Sequence, residues 1–180
     1  MIKKDALAWA VTSEARREIG EIYLPRIERS LAILGDEDIW WRPNPASNSA
    51  GNLVLHLTGN VRQWIISGLG GAPDHRKRDS EFAERGPIPR RRLSRQLRMT
   101  VEEACCVIEN LPPSELLRER TIQKFRVTGV VAVLHVMDHF ALHAGQILYI
   151  TKMRRGRDLK FTKLPGERRP SPKANNLPSV

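Results

Sequence analysis

The chain has 180 residues, with 30 Lys and Arg against 20 Asp and Glu and a formal net charge of +10. That length fits a single domain with a real core, and no apolar run reaches the roughly 18 residues that suggest a membrane span. The N-terminus, MIKKDALAWAVTSEARREIG, has no continuous apolar stretch of signal-peptide type because Thr12, Ser13 and Glu14 interrupt it.

Taken in order, Asp5 to Leu34 reads as the first helical region, with Ile19, Ile22, Tyr23, Ile27, Leu31 and Leu34 at helical spacing. Pro25 should kink or divide it, and Gly35 should end it. Asp36 to Pro45 is a connection in which Pro43 and Pro45 exclude regular helix. Its tryptophans, Trp40 and Trp41, are expected to plug one end of the core; a wall for a ligand is the livelier alternative.

Ser47 to Leu69 reads as the second helix, capped by Ser47, Asn48 or Ser49. Ser49, Asn52, Asn60 and Gln63 all fall within about 40° of His56 around it. This stripe is polar yet uncharged. An ordinary wet face uses Lys, Glu and Arg, so Ser, Asn, His, Asn and Gln point instead to an enclosed polar space whose donors and acceptors need partners.

Gly70 to Pro89 is a long connection rich in Gly, Pro and charge, and its His75 is expected at the surface. Arg90 to Leu111 is the third helix, with Leu93, Leu97, Val101, Ala104, Cys105 and Ile108 as its seam and Pro112-Pro113 as its stop. Cys105 and Cys106 are adjacent, which rules out a disulfide framework and fits a reducing, cytoplasmic setting. Ser114 to Val127 contains the alternating ERTIQKFRV, read here as a connection laid over the helices and not as a sheet.

Thr128 to Met153 reads as one long last helix carrying three of the five histidines. His135, His139 and His143 recur every four residues and so form one row. On the opposite side the spacing places Val130, Val133, Leu134, Met137, Phe140, Ala141, Ala144 and Leu148. Neighbouring histidines lie roughly 6 Å apart along the axis and can share an ion, whereas His135 and His143, roughly 12 Å apart, cannot. Either His135/His139 or His139/His143 can chelate, and a further ligand must come from elsewhere. His56, near the middle of its own helix, can supply it if the two helices are neighbours.

Basic residues crowd two places: Arg90, Arg91, Arg92, Arg95 and Arg98, and the stretch from Lys152 to Lys173. Such a balance attracts acidic partners. No aromatic residues interleave with the basic ones, so a nucleic-acid surface is not expected. Residues 161–180, rich in Pro, Arg and Asn, are expected to form a disordered basic tail after a 1–160 domain.

Two stretches carry a resemblance. NSAGNLVLHLTGNVRQWI, followed by SGLGG, resembles the second helix of the DinB-like metalloprotein superfamily. DHFALHAGQILYI resembles that superfamily's last core helix, with its His-x-x-x-His-x-Gly-Gln signature. The resemblance spans roughly residues 10 to 160. It implies an all-α four-helix bundle with long connections and a divalent metal on three histidines, which by position are His56, His139 and His143. His135 then becomes a neighbour of the site, and Asn60 and Gln146 become candidates to orient a ring or a bound cofactor. Zinc is the first expectation for the metal, with nickel or iron compatible.

Characterised relatives include thiol S-transferases and thiol-dependent isomerases. The resemblance therefore implies a low-molecular-weight thiol and an electrophile as partners, with a homodimer and a hydrolase as further options and no membrane. The alternative is a non-catalytic, stress-related binding protein that uses its basic surface or tail for nucleic acid or acidic partners.

Overall fold

The computed structural model describes residues 2–161, and the expected tail over 162–180 lies outside them. The expected bundle is present. Its first arm is a single bent rod: α1 (Ile2–Arg16), a π-helical stretch over Arg17–Tyr23, and α2 (Leu24–Asp38). A kink or a division is expected at Pro25; the helical path runs on through it, with the change to π-helical geometry falling just before it. It sits in the first turn of α2, where its missing N–H costs little, directly after the widened turn. Gly35, at φ +82°, makes the expected break within the last turns.

α3 (Ala50–Val61) begins behind Ser49, the third of the three candidate caps. The Asn52 N–H donates to Ser49 Oγ, and the Ser49 N–H donates to Asn52 Oδ1, so two otherwise orphaned donors at the helix start are satisfied reciprocally. A second π-helical stretch, Arg62–Ser67, continues the arm. The long connection then holds a short unforeseen helix, α4 (Arg78–Ala83), before α5 (Arg90–Glu109).

α6 (Pro113–Leu117) leads into β1 (Glu119–Ile122) and β2 (Phe125–Thr128). Here the expectation of a plain connection is corrected. The strands pair antiparallel, Glu119 opposite Thr128 and Ile122 opposite Phe125. Gln123 and Lys124 both take positive φ, as a two-residue hairpin turn requires. The pair Gln-Lys carries none of the glycine or asparagine that normally announces such a turn, which hid the hairpin in the sequence.

α7 (Gly129–Arg155) closes the bundle. α2 and α3 each pack against both α5 and α7, so α7 and α3 are direct neighbours. Ile27, Leu31, Leu57, Ile65, Leu97, Phe140 and Ile147 fill the space between these four arms. Trp40 and Trp41 pack part-buried on the edge of this core. Cys105 is half-buried and Cys106 exposed, and burial pushes the Cys105 thiol up to about 11.

The apolar face of α7 is turned roughly a quarter of the way round from the expected one. Its buried line is Ala132, Val133, Val136, Phe140, Ala144, Ile147 and Ile150. Leu134, assigned to the core from spacing, is exposed, as are Leu142, Tyr149 and Met153. The reason is that α7 is enclosed from two sides. The histidine row forms one edge of the buried arc, against α3, and does not lie opposite to it. By length and composition α7 is also apolar enough to cross a bilayer; its contacts with α1, α2 and α3 make it the core helix of the bundle.

Phe140, fully buried and next in sequence to His139, ties α7 to this core. Phe140→Ala is expected to lower unfolding free energy by about 3–5 kcal/mol, measured by urea titration of the purified chain.

Candidate metal centre

His56 reaches the site from the middle of α3, and His139 and His143 reach it from successive turns of α7. His56 Nε2 lies 3.1 Å from His139 Nε2, and His143 Nε2 lies 3.2 Å from it. One nitrogen from each ring falls within 4.8 Å of the other two. Bonds of about 2.0–2.1 Å in tetrahedral geometry place ligand nitrogens roughly 3.3–3.4 Å apart, so the trio has the dimensions of one ion. His56 is buried, while His139 and His143 are half-buried.

The far nitrogens strengthen this fit. His143 Nδ1 meets Gln146 Oε1 at 2.7 Å, and His56 Nδ1 meets Glu81 Oε2 at 2.9 Å. With Nδ1 of each ring engaged by those oxygens, both rings turn Nε2 toward the centre. At 3.1–3.2 Å from His139 Nε2 these nitrogens can be satisfied either by a shared cation or by a proton carried on His139 Nε2. His139 Nδ1 and Asn60 Oδ1 are buried and have no hydrogen-bond partner among the described residues.

Burial pushes His139 down to about 3, assisted by the charges of His143, His56, His135 and Arg76. Burial likewise lowers His143, against the raising effect of its bond to Gln146. Neutral imidazole is the form that binds metal, and burial favours that form for His139 and His143.

His135 stays out of the trio. Its ring lies 5.4 Å from that of His139, tilted over Trp64 at 3.9 Å. Asn60, expected beside the cofactor, directs Nδ2 to His135 Nε2 at 3.4 Å. Gln146 reaches a ring of the trio. His75 is exposed.

Sequence reasoning missed Glu81 and Arg76. Both lie in the connection that seemed merely charged, on and just before the short α4. Arg76 grips Glu81 through Nε at 2.7 Å and through its terminal nitrogen at 2.8 Å. Burial alone would raise Glu81; the hydrogen bonds and charges of Arg76 and His56 outweigh it and hold the carboxyl below its ordinary range. The available signal was the uncharged stripe on α3, which the segment 71–89 satisfies. Asn52 Nδ2 donates to the carbonyls of Glu81 and Glu84 at 2.8 and 2.9 Å, and Gln63 donates to Asp74 at 2.7 Å. The enclosed polar space inferred from the stripe is filled, for most of its length, by the chain itself.

The model of a family described as protein of unknown function (DUF1572) matches residues 11–168. Solved structures share the fold. A conserved protein from Enterococcus faecalis superposes with a TM-score of 0.64 at 18% identity, covering 84% of this chain and 97% of its own. A DinB-like protein, YjoA, from Bacillus subtilis gives 0.59 at 18% identity, with coverages of 83% and 94%. A DinB-like protein from Bacillus cereus gives 0.58 at 14% identity, with coverages of 74% and 86%. The fold is therefore DinB-like. No curated protein matches the chain in sequence.

The depressed histidines set a pH dependence for the metal-free protein. His135, His139 and His143 have folded pKa values below the ordinary 6.5. As pH falls below that value the unfolded chain takes up protons first, so stability falls with pH through this window and is fully present above it. Thermal melts of chelator-treated protein should show a midpoint that drops steadily from about pH 6.5 downward; a midpoint level to pH 5 would contradict the assigned burial.

Proposed function

The chain belongs to the DUF1572 family of unknown function, and from its DinB-like fold and converging imidazoles we infer that it is a divalent-metal protein with catalytic potential. The observation that carries this reading is the mutual approach of the three Nε2 atoms, with the Nδ1 atoms of His56 and His143 tied back to Glu81 and Gln146. His56, His139 and His143 would hold the ion, and three imidazoles with a free fourth position suit zinc. When bound, the ion supplies a Lewis-acid position able to keep a thiol as thiolate at neutral pH.

We propose a low-molecular-weight thiol as co-substrate and an electrophile as acceptor, in a cytoplasmic transferase. The residues beside the trio support that reading. A groove of about 660 Å³ adjoins Gln146 and is lined by Leu142, Gly145, Tyr149 and Met153 on α7 and by Ser47 and Asn48 before α3. Its apolar wall suits a carbon electrophile, and its hydroxyl and amide groups suit the polar part of a small thiol. Gln146 orients His143 and borders the groove, so it can couple ligand position to ring position.

A second reading rests on a separate feature. A groove of about 540 Å³ between α2 and α5 is lined by Arg90, Arg91, Arg95 and Arg98, with Glu28 as its one acid. We propose it as the surface through which acidic partners would associate if the protein acts by binding. That association should weaken steeply with salt, and it should survive loss of the metal.

Purified, untagged protein is expected to carry about one divalent ion per chain, and His56→Ala or His143→Ala should release it, as read by elemental analysis. Full occupancy in either variant would overturn the assignment. Wild-type protein should consume glutathione, bacillithiol or mycothiol with an electrophilic dye, and His143→Ala should abolish this. Metal-loaded protein inactive with every thiol would leave the metal site standing and remove the transferase reading.

A further inference from the structure

We propose that Glu81, gripped by Arg76, is the positioning residue of the centre: it fixes His56 with its proton on Nδ1 and aims Nε2 at the ion, which couples metal binding to docking of the segment 71–89. The proposal rests on the metal reading given above.

The two ligands on α7 need little help, since residues four apart on one helix already face the same way. His56 differs. It crosses from another helix, and rotation of its ring would carry Nε2 out of the trio. Glu81 removes that freedom. An ionised carboxylate only accepts hydrogen bonds, so its contact at 2.9 Å places the proton on Nδ1. The Arg76 terminal nitrogen, which can only donate, lies 3.1 Å from Nδ1 and 2.8 Å from the same carboxylate oxygen. Its contact with Nδ1 favours the opposite tautomer, the nearer acceptor-only carboxylate favours the proton on Nδ1, and measurement of the tautomer decides between them. The carboxylate is itself immobilised by the two-pronged guanidinium contact. All three side chains are enclosed, with exposures of 6% for His56, 10% for Glu81 and 4% for Arg76.

Two further observations point the same way. First, Gly59 leaves room for the pair. A Cβ there would fall 2.0 Å from Glu81 Oε1 and 2.9 Å from Arg76 Nε, so α3 lacks a side chain at the place where the carboxylate docks, one turn beyond His56. Second, a buried ion pair adds little net stability, because desolvation offsets much of the attraction. Placed behind a ligand, it has a use. A carboxylate on the far nitrogen fixes the tautomer, orients the ring and makes it a better donor to metal. Because Asn52 and Gln63 fasten the rest of the segment, a bond strengthened at Glu81 is felt along residues 71–89, and docking must in turn strengthen metal binding.

The test uses the full chain and zinc. Competition with a chromogenic chelator gives the affinity, ¹⁵N spectra of the imidazoles give the tautomers, and limited proteolysis reports on 71–89. Wild-type His56 should be protonated on Nδ1 with or without zinc, and zinc should slow cleavage within 71–89. Glu81→Gln should weaken zinc binding about 10–100-fold at unchanged stoichiometry, and should lose the zinc-dependent protection. Glu84→Gln, on the same segment but away from His56, should leave the affinity within about twofold of wild type. If Glu81→Gln leaves Arg76 unpaired and misfolds, Arg76→Met/Glu81→Gln removes both charges and should show the same weakening. Wild-type affinity in the folded variants, or His56 protonated on Nε2, overturns the proposal while leaving the metal site intact. Failure of the wild-type chain to bind zinc at one per chain overturns both.

Discussion

Three imidazole nitrogens held close together between α3 and α7 form the constraint on which the rest of the structure depends. Two of the rings have their far nitrogens tied to outside acceptors, and burial keeps the α7 ligands neutral. Such an arrangement needs either a proton or a cation between the nitrogens, since His56 Nε2 and His143 Nε2 both stand within hydrogen-bond distance of His139 Nε2. The bundle holds this arrangement by packing. α2 and α5 close the far sides, Phe140 and Ile147 root α7 in the core, and Leu57 and Ile65 do the same for the α3 arm. The depth at which His56 meets His139 is thus set by interlocked apolar residues, and the polar contacts refine the direction of each ring.

Charge is distributed around this centre in two distinct ways. Near it, one arginine is answered by one glutamate in an enclosed pair, so the positive field of Arg76 does not bear on the ion undiminished. On α5, Arg91 and Arg95 lie exposed in a groove where Glu28 pairs with Arg98. The basic balance of the whole chain therefore says little about the centre. The two features are built from different elements, the trio from α3 and α7 and the arginine groove from α2 and α5.

The helical arms and the histidine row were legible in the sequence because both rest on periodicity. The stripe on α3 was legible for a subtler reason: Ser49, Asn52, Asn60 and Gln63 are poor choices for a wet face, and Ser49, Asn52 and Asn60 are indeed buried. What lay beyond reading was anything decided by contact between segments. Glu81 lies 25 residues from His56 in sequence and touches it only because α4 folds back along α3. The rotation of α7 was hidden for the same reason, since spacing orders residues around a helix but does not say from which side neighbours arrive. The choice of His139 and His143 over His135 and His139 came from family resemblance, and in the fold Trp64 and the hairpin residue Phe125 stack on the flank where His135 sits.

The segment 71–89 also covers the trio from the α3 side. An uncharged polar stripe beside a metal-sized gap invites the idea that substrate lies along α3. Yet Asn52, His56 and Gln63 already hold partners in that segment, and Phe82 from α4 covers His56 at 4.6 Å between ring centres. The α3 side of the centre is a wall. On the α7 side His143 is half-buried, Gln146 is exposed, and the groove past Leu142 and Tyr149 begins. Leu142, Tyr149 and Met153, exposed on α7, give that groove a mostly apolar lining.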